Sequence, residues 1–303
     1  MDVIKMVMPE VKPGEIAMPS MDVSAVKRKF LDISYSAKPQ SELQTLDIYL
    51  PDDGVGPFPT IVFIHGGAFW GGDKRDFQAV YVMNGIRRGY AVASINHRLS
   101  DTAKFPEPVY DVKAAVRFLR ANASTYLLDP ERFCAVGDSA GSYFAMMLGA
   151  TANNPAFECP EMGNAEFSSA VQAVVGYFGV YDLVAQSEFT EVTPPAPGAP
   201  KMPNFADIFM DINCREHPAL CKIAWPGSYI DKNCPPTLLQ AGTADEIVPY
   251  RNSIELADKI NAVCGAPRAV FEPFEGYTHG DARFGTPENE AHVFEFIDKY
   301  MKK

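Results

Sequence analysis

Gly137-Asp138-Ser139-Ala140-Gly141 has the G-x-S-x-G spacing of a nucleophile elbow, a sharp turn that presents a serine between a strand and a helix. The apolar run Phe133-Cys134-Ala135-Val136 before it predicts a short buried strand. Residues 142–150 after it are apolar almost all round, the pattern of a buried helix. Glycines two positions either side of the serine let neighbouring backbone pass close without meeting a Cβ. The helix would aim free N–H groups and the positive end of its dipole at the place where an acyl-transfer oxyanion forms.

A serine hydroxyl is a weak nucleophile until a base takes its proton. Five histidines could serve: His65, His97, His217, His279 and His292. His279 lies in Glu275-Gly276-Tyr277-Thr278-His279-Gly280, just past the last expected strand, where a parallel sheet places its site. It is the expected base. His292 sits among Val293, Phe294 and Phe296 and reads as a packing or surface residue, while His65 precedes a glycine pair and reads as holding that turn. The base needs an acceptor on its other ring nitrogen to fix its tautomer. Asp245, after the penultimate strand pattern, is the expected acid; Glu246 is adjacent, Asp182 is the rival, and any of them could instead cap a helix. The chain order Ser139, Asp245, His279 is the order of α/β-hydrolases. Oxyanion donors are expected from the N–H groups of Ala140 and of Gly67 and Ala68, in a glycine-rich turn after a buried strand. Phe69 and Trp70 follow that turn directly and are expected to bind substrate, crowding the acyl side.

The elements that must carry these residues alternate. Strand patterns at 60–64, 90–95, 171–177, 237–240 and 269–274 are interleaved with helix patterns at 77–88, 108–122, 250–263 and 288–300, and two further strands fall at 26–34 and 45–50. This predicts an α/β fold: a mostly parallel central sheet with helices on both faces. Residues 25–303 read as that one domain, preceded by a Met- and Pro-dotted arm over 1–24. The rhythm breaks at 184–233, a cap-like insertion with the Pro-rich run 193–200 and a short capped helix over 204–212, its Phe205, Ile208, Phe209 and Ile212 along one stripe.

Composition narrows the partners. The 303 residues carry a net charge of −11, which argues against nucleic acid or an anionic membrane surface. No run is long enough to span a bilayer, and the first residues show no basic-then-apolar export pattern, so a cytoplasmic location is the default expectation. Six scattered cysteines suit reduced, mostly buried thiols; the spacing of Cys214, His217, Cys221 and Cys234 fits no common zinc pattern. Neither metal nor cofactor is expected, and self-association is left open.

The chain resembles α/β-hydrolase esterases of the hormone-sensitive-lipase-like group, nearest to small bacterial carboxylesterases and carbohydrate acyl esterases (BD-FAE-like). The resemblance rests on HGGAFWGGDK at 65–74, NHRLSDTAKFPEPVYDVKAAVRFL at 96–119, DPERFCAVGDSAG at 129–141, PPTLLQAGTADEIVPY at 235–250 and THG at 278–280. It implies hydrolysis of short acyl esters, such as acetyl esters of sugars or xylan, by Ser139, Asp245 and His279 without a cofactor. Ala68 stands where the group usually has a third glycine, keeping an N–H but adding a methyl. His97 stands where the group usually has tyrosine before Arg98-Leu99, which opens a role for His97. Formamide or amide hydrolysis on the same triad is the alternative, since formamidases also carry HGG closely followed by Trp. A triad-less binding module of the same fold fits less well, because all three positions are filled.

Overall fold

The computed structural model describes residues 4–7, 19–152, 154–194, 201–265 and 267–302. Its strands are β1 (Lys5–Val7), β2 (Ser20–Asp22), β3 (Lys29–Ser34), β4 (Thr45–Tyr49), β5 (Phe58–Ile64), β6 (Ala91–Ile95), β7 (Leu128–Asp138), β8 (Ala173–Tyr177), β9 (Thr237–Gly242) and β10 (Ala269–Phe274). The helices are α1 (Val80–Met83), α2 (Glu107–Ala121), α3 (Ala140–Ala150), α4 (Leu183–Val192), α5 (Phe205–Met210), α6 (Pro218–Cys221), α7 (Arg251–Cys264) and α8 (Pro287–Met301).

Eight strands form one sheet in the order β10-β9-β8-β7-β5-β6-β4-β3, parallel except where β4 meets β3 and β6. The central strands are continuous apolar runs because both faces are covered. Along β5, Val62 and Ile64 enter one core with α2, α3 and α7, whereas Ile61 and Phe63 enter a second core with α1 and α8. That period-two split is the alternation of a pleated strand. The expected α/β architecture is therefore the one found. All the loops that matter for chemistry leave the carboxyl ends of β5, β7, β9 and β10, the edge where open parallel sheets bind ligands.

Three elements differ from expectation. The helix expected over 77–88 is a broken rod, with 3-10 turns at Phe77–Ala79 and Asn84–Arg88 flanking α1. Gly85 explains part of this: a Cβ there would lie 2.9 Å from Ile61 Cδ1, so the rod presses directly on the sheet. The insertion holds more helix than its composition suggests, because Asp182 caps α4 by accepting from the N–H groups of Val184 and Ala185. α5 forms behind its Asn204 cap with Phe205 and Phe209 buried, whereas Ile208 and Ile212 are half-buried. Within the Pro-rich run, residues 195–200 lie outside the described residues, as do 1–3 and 8–18 of the N-terminal arm. The described part of that arm pairs β1 with β2 and joins the body through Met21 N–H to Arg75 O and Phe77 N–H to Pro19 O. Among the described residues no helix is long and apolar enough to cross a membrane.

Candidate active site

The elbow is built where β7 turns into α3. A Cβ on Gly137 would lie 2.3 Å from Gly141 O, and one on Gly141 would lie 2.0 Å from Ile64 O. Only glycine permits that crossing of three backbone segments. Ser139 between them is held at φ 50°, ψ −120°, a strained region for a residue with a side chain, of a kind that persists where the surroundings over-determine it. The strain lifts Oγ off the sheet edge, leaving Ser139 7% exposed.

His279 reaches this serine from the loop after β10, with Nε2 3.0 Å from Ser139 Oγ. Its Nδ1 lies 2.8 Å from Asp245 Oδ2. Asp245 Oδ1 meanwhile accepts from the N–H groups of Ile247 and Val248 at 2.9 and 2.8 Å. Both oxygens of the buried carboxylate are thus engaged, and only one faces the histidine. Asp182 takes no part, since its carboxylate caps α4. Glu246 contributes an unexpected contact, Oε2 accepting from the backbone N–H of His279 at 3.3 Å. The ring of Phe178 stands edge-on to the imidazole, 4.8 Å between centroids. Neither Glu246 nor Phe178 could be paired with His279 from spacing alone.

The turn after β5 lies alongside. Gly67, Ala68 and Phe69 all have positive φ, at 116°, 56° and 62°. Two consecutive left-handed residues with side chains cost about 1–3 kcal/mol each and need support. Gly67 O accepts from the N–H groups of Trp70 and Gly71, and Phe69 O from that of Ser100. Gly66 N–H donates to Asp138 Oδ1 at 3.1 Å. The N–H groups of Gly67 and Ala68 have no acceptor among the described residues. That of Ala140, first residue of α3, has no intrahelical partner either. Three donors therefore stand uncommitted around the serine.

Phe69 departs from expectation. Its side chain is 1% exposed, stacked on Phe209 of α5 with centroids 4.1 Å apart and planes 8° apart. It offers no surface to a ligand and instead ties the turn to the insertion. Trp70 is half-exposed.

His65 and His97 form a buried stacked pair with centroids 4.7 Å apart. His65 Nδ1 donates to Gly66 O at 2.7 Å, and His97 Nδ1 to Arg98 O at 3.1 Å. The Nε2 atoms of both are buried and unpartnered, so the pair is held neutral. Burial pushes the imidazoles down, His97 to about 3. Unfolded histidines bind protons below about 6.5, whereas the folded pair does not, so this pair withdraws stability as pH falls from about 6.5 towards 3. Burial moves Asp138 the other way, up to about 7, with its Oδ2 unpartnered. Its contribution is full below the ordinary carboxylate range and is lost as pH rises through 7. The two opposed effects separate by difference: between pH 8 and pH 5, the melting temperature of the wild type should fall more than that of His97→Tyr, and equal falls would reject the account. His292 is a surface residue paired with Glu272 at 2.7 Å. All six cysteines are free thiols, four of them buried. No cluster of metal-ligating residues occurs among the described residues.

The sequence pattern of the BD-FAE family matches residues 46–260. The chain belongs to the BD-FAE family. The match covers every element from β4 to most of α7, including the elbow, the β5 turn and Asp245, but stops before His279. Esterase LipQ of Mycobacterium tuberculosis is 31% identical over 73% of this chain and 50% of its own length, and Esterase LipC of the same organism is 28% identical over 78% and 57%. The chain spans about half the length of these curated relatives. Among solved structures, a truncated carbohydrate esterase from gut microbiota superposes with a TM-score of 0.81 at 27% identity, covering 92% of this chain and 98% of that one. A bifunctional GH43-CE protein of Bacteroides eggerthii gives 0.78 at 29% identity, over 92% of this chain and 39% of that one. BD-FAE membership agrees with the sheet order and the α/β-hydrolase fold seen here.

Proposed function

We propose that this chain is a serine carboxylic-ester hydrolase acting on short acyl esters, with a carbohydrate as the alcohol, through an acyl-enzyme. The observation that carries the reading is the line Asp245 Oδ2, His279 Nδ1, His279 Nε2, Ser139 Oγ, with steps of 2.8 and 3.0 Å. Asp245 keeps the His279 proton on Nδ1, which leaves the Nε2 lone pair facing the serine hydroxyl. Ser139 Oγ attacks the ester carbonyl as its proton passes to Nε2. The N–H groups of Gly67, Ala68 and Ala140 receive the oxyanion. Collapse of the tetrahedral adduct breaks the bond to the alcohol oxygen, which takes the proton back from Nε2. Water, deprotonated by the same nitrogen, then releases the acid and restores Ser139. The esterase names of the relatives support the ester, and the carbohydrate esterase neighbour supports a sugar on the leaving side.

The acyl side is taken to be short because Trp70 leaves the donor turn half-exposed and the helices of 184–233 follow β8, whose end adjoins the elbow. Each methylene accepted or refused in such a pocket changes the barrier by about 1–3 kcal/mol. The 4-nitrophenyl esters should be cleaved in the order acetyl, butyryl, octanoyl, and Trp70→Ala should narrow the acetyl-to-octanoyl ratio by about tenfold or more. Acetylated and feruloylated sugars in the same panel identify the natural class. Preference for octanoyl, or an unchanged profile in Trp70→Ala, would reject the short-acyl pocket. An N-formyl anilide turned over faster than every ester would move the chain to amide chemistry.

A further inference from the structure

The turn after β5 is held partly by the insertion, which packs into the same core. Phe69, the second of its two left-handed non-glycine residues, has its ring in an aromatic box. Tyr143 and Phe144 of α3 meet that ring edge-on at 5.5 and 5.6 Å, and Phe209 of α5 covers its face at 4.1 Å. The box therefore joins three parts: the turn that carries the Gly67 and Ala68 N–H groups, the helix whose first residue is Ala140, and the insertion. The insertion side is itself fixed. Phe209 O accepts from Phe105 N–H at 3.0 Å, and Ile208 O from Lys104 Nζ at 2.9 Å. Asn204 caps the start of α5 and also donates through Nδ2 to Ser187 Oγ on α4.

We propose that Phe209 is a positioning residue for the oxyanion hole, acting through its stack on Phe69 to hold the strained turn in the shape that presents the Gly67 and Ala68 N–H groups. This rests on the ester-hydrolase reading above. Left-handed backbone at Ala68 and Phe69 is unfavourable taken alone and persists only while its surroundings over-determine it. Part of that support is backbone, from Ser100 and Trp70. The rest is the ring box, to which the insertion contributes Phe209, stacked on the Phe69 face, and Phe205, tilted and more distant at 6.3 Å. With the stacked ring removed, the Phe69 ring can drop into the vacated space, and the turn follows toward ordinary backbone angles. The donors then point away from the oxyanion but not from the bound ester, so the loss falls on the transition state.

The test compares Phe209→Ala and Phe209→Leu with the wild type on acetyl and butyryl 4-nitrophenyl esters and on an acetylated sugar. Loss of one whole oxyanion donor costs about a hundred- to a thousand-fold in kcat. Displaced donors should cost less, about ten- to a hundred-fold in kcat for Phe209→Ala and a smaller loss for Phe209→Leu, with KM changed by less than about threefold. The fold-loss should be the same for all three substrates, because the oxyanion is common to them. A residue that only shapes the pocket would move KM and the ranking of substrates instead. Should Phe209→Ala fail to fold, the milder Phe209→Leu, which keeps most of the volume but removes the stacked ring, gives the same comparison. Wild-type kcat in a folded variant, or a loss that grows with substrate size, overturns the proposal. A wild type that cleaves no ester at all overturns the hydrolase reading and this proposal with it.

Discussion

Ser139→Ala is expected to lower ester turnover by about a million-fold, the scale seen when the nucleophile of such a unit is removed. The prediction follows from isolation of the nucleophile. Within hydrogen-bond reach of His279 Nε2 stands Ser139 Oγ at 3.0 Å. Ser142, one turn along α3, is buried and bonds to the Tyr181 hydroxyl at 2.6 Å, so it cannot substitute. A fluorophosphonate probe should label the wild type once and Ser139→Ala not at all, as read by intact mass. Labelling that survives in Ser139→Ala would place the nucleophile elsewhere. The fold should be nearly unaffected, because alanine leaves the φ of 50° unchanged and gives up one hydrogen bond, that between Oγ and His279 Nε2, along with a nearly buried hydroxyl.

Asp245→Asn is the second large effect, about ten-thousand-fold in kcat. The structure gives this substitution a definite geometry. The oxygen that accepts from Ile247 and Val248 must remain an oxygen, so the new amide nitrogen has to take the place of Oδ2. That nitrogen donates, and His279 Nδ1 must then accept. The ring proton moves to Nε2, facing Ser139 Oγ, where it blocks proton transfer. Asp182→Ala should behave in the opposite way. It removes the α4 cap, costing about 0.5–2 kcal/mol of stability with turnover nearly intact. Thermal melts and kinetics on both variants decide the matter. Greater loss of turnover in the Asp182 variant would reverse the assignment.

Much of this site is legible in the one-dimensional pattern because its parts sit at fixed offsets from strand ends. G-x-S-x-G demands glycine at two positions for a steric reason that any chain must obey. The 2.3 and 2.0 Å at which a Cβ on Gly137 or Gly141 would meet backbone oxygen restate that reason. The order of strands and helices follows from apolar periodicity, so the sheet and its covering helices are anticipated, with ends shifted by a few residues. The base is legible because His279 sits in the loop after the last strand, although His65 and His97 also follow strands. The acid is legible only as one of a short set, since Asp182 and Asp245 both follow strands and both accept backbone N–H groups.

The features readable from residue order are all local: the elbow, the donor turn, the strand–helix alternation and the identity of the serine. These depend on backbone sterics and on patterns of a few residues, which travel with the chain. Which carboxylate meets His279 is settled only in three dimensions, because both candidates are well placed in sequence and both accept two backbone N–H groups through Oδ1, and only the packing brings the imidazole to Asp245 Oδ2. The stack of Phe69 on Phe209, with Trp70 left half-exposed, accompanies three successive positive φ values that no residue pattern announces. His97 lies flat against His65 because β5 and β6 are neighbours in the sheet, which brings together two rings far apart along the chain. Contacts between distant segments are fixed by packing, and packing is a property of the folded whole.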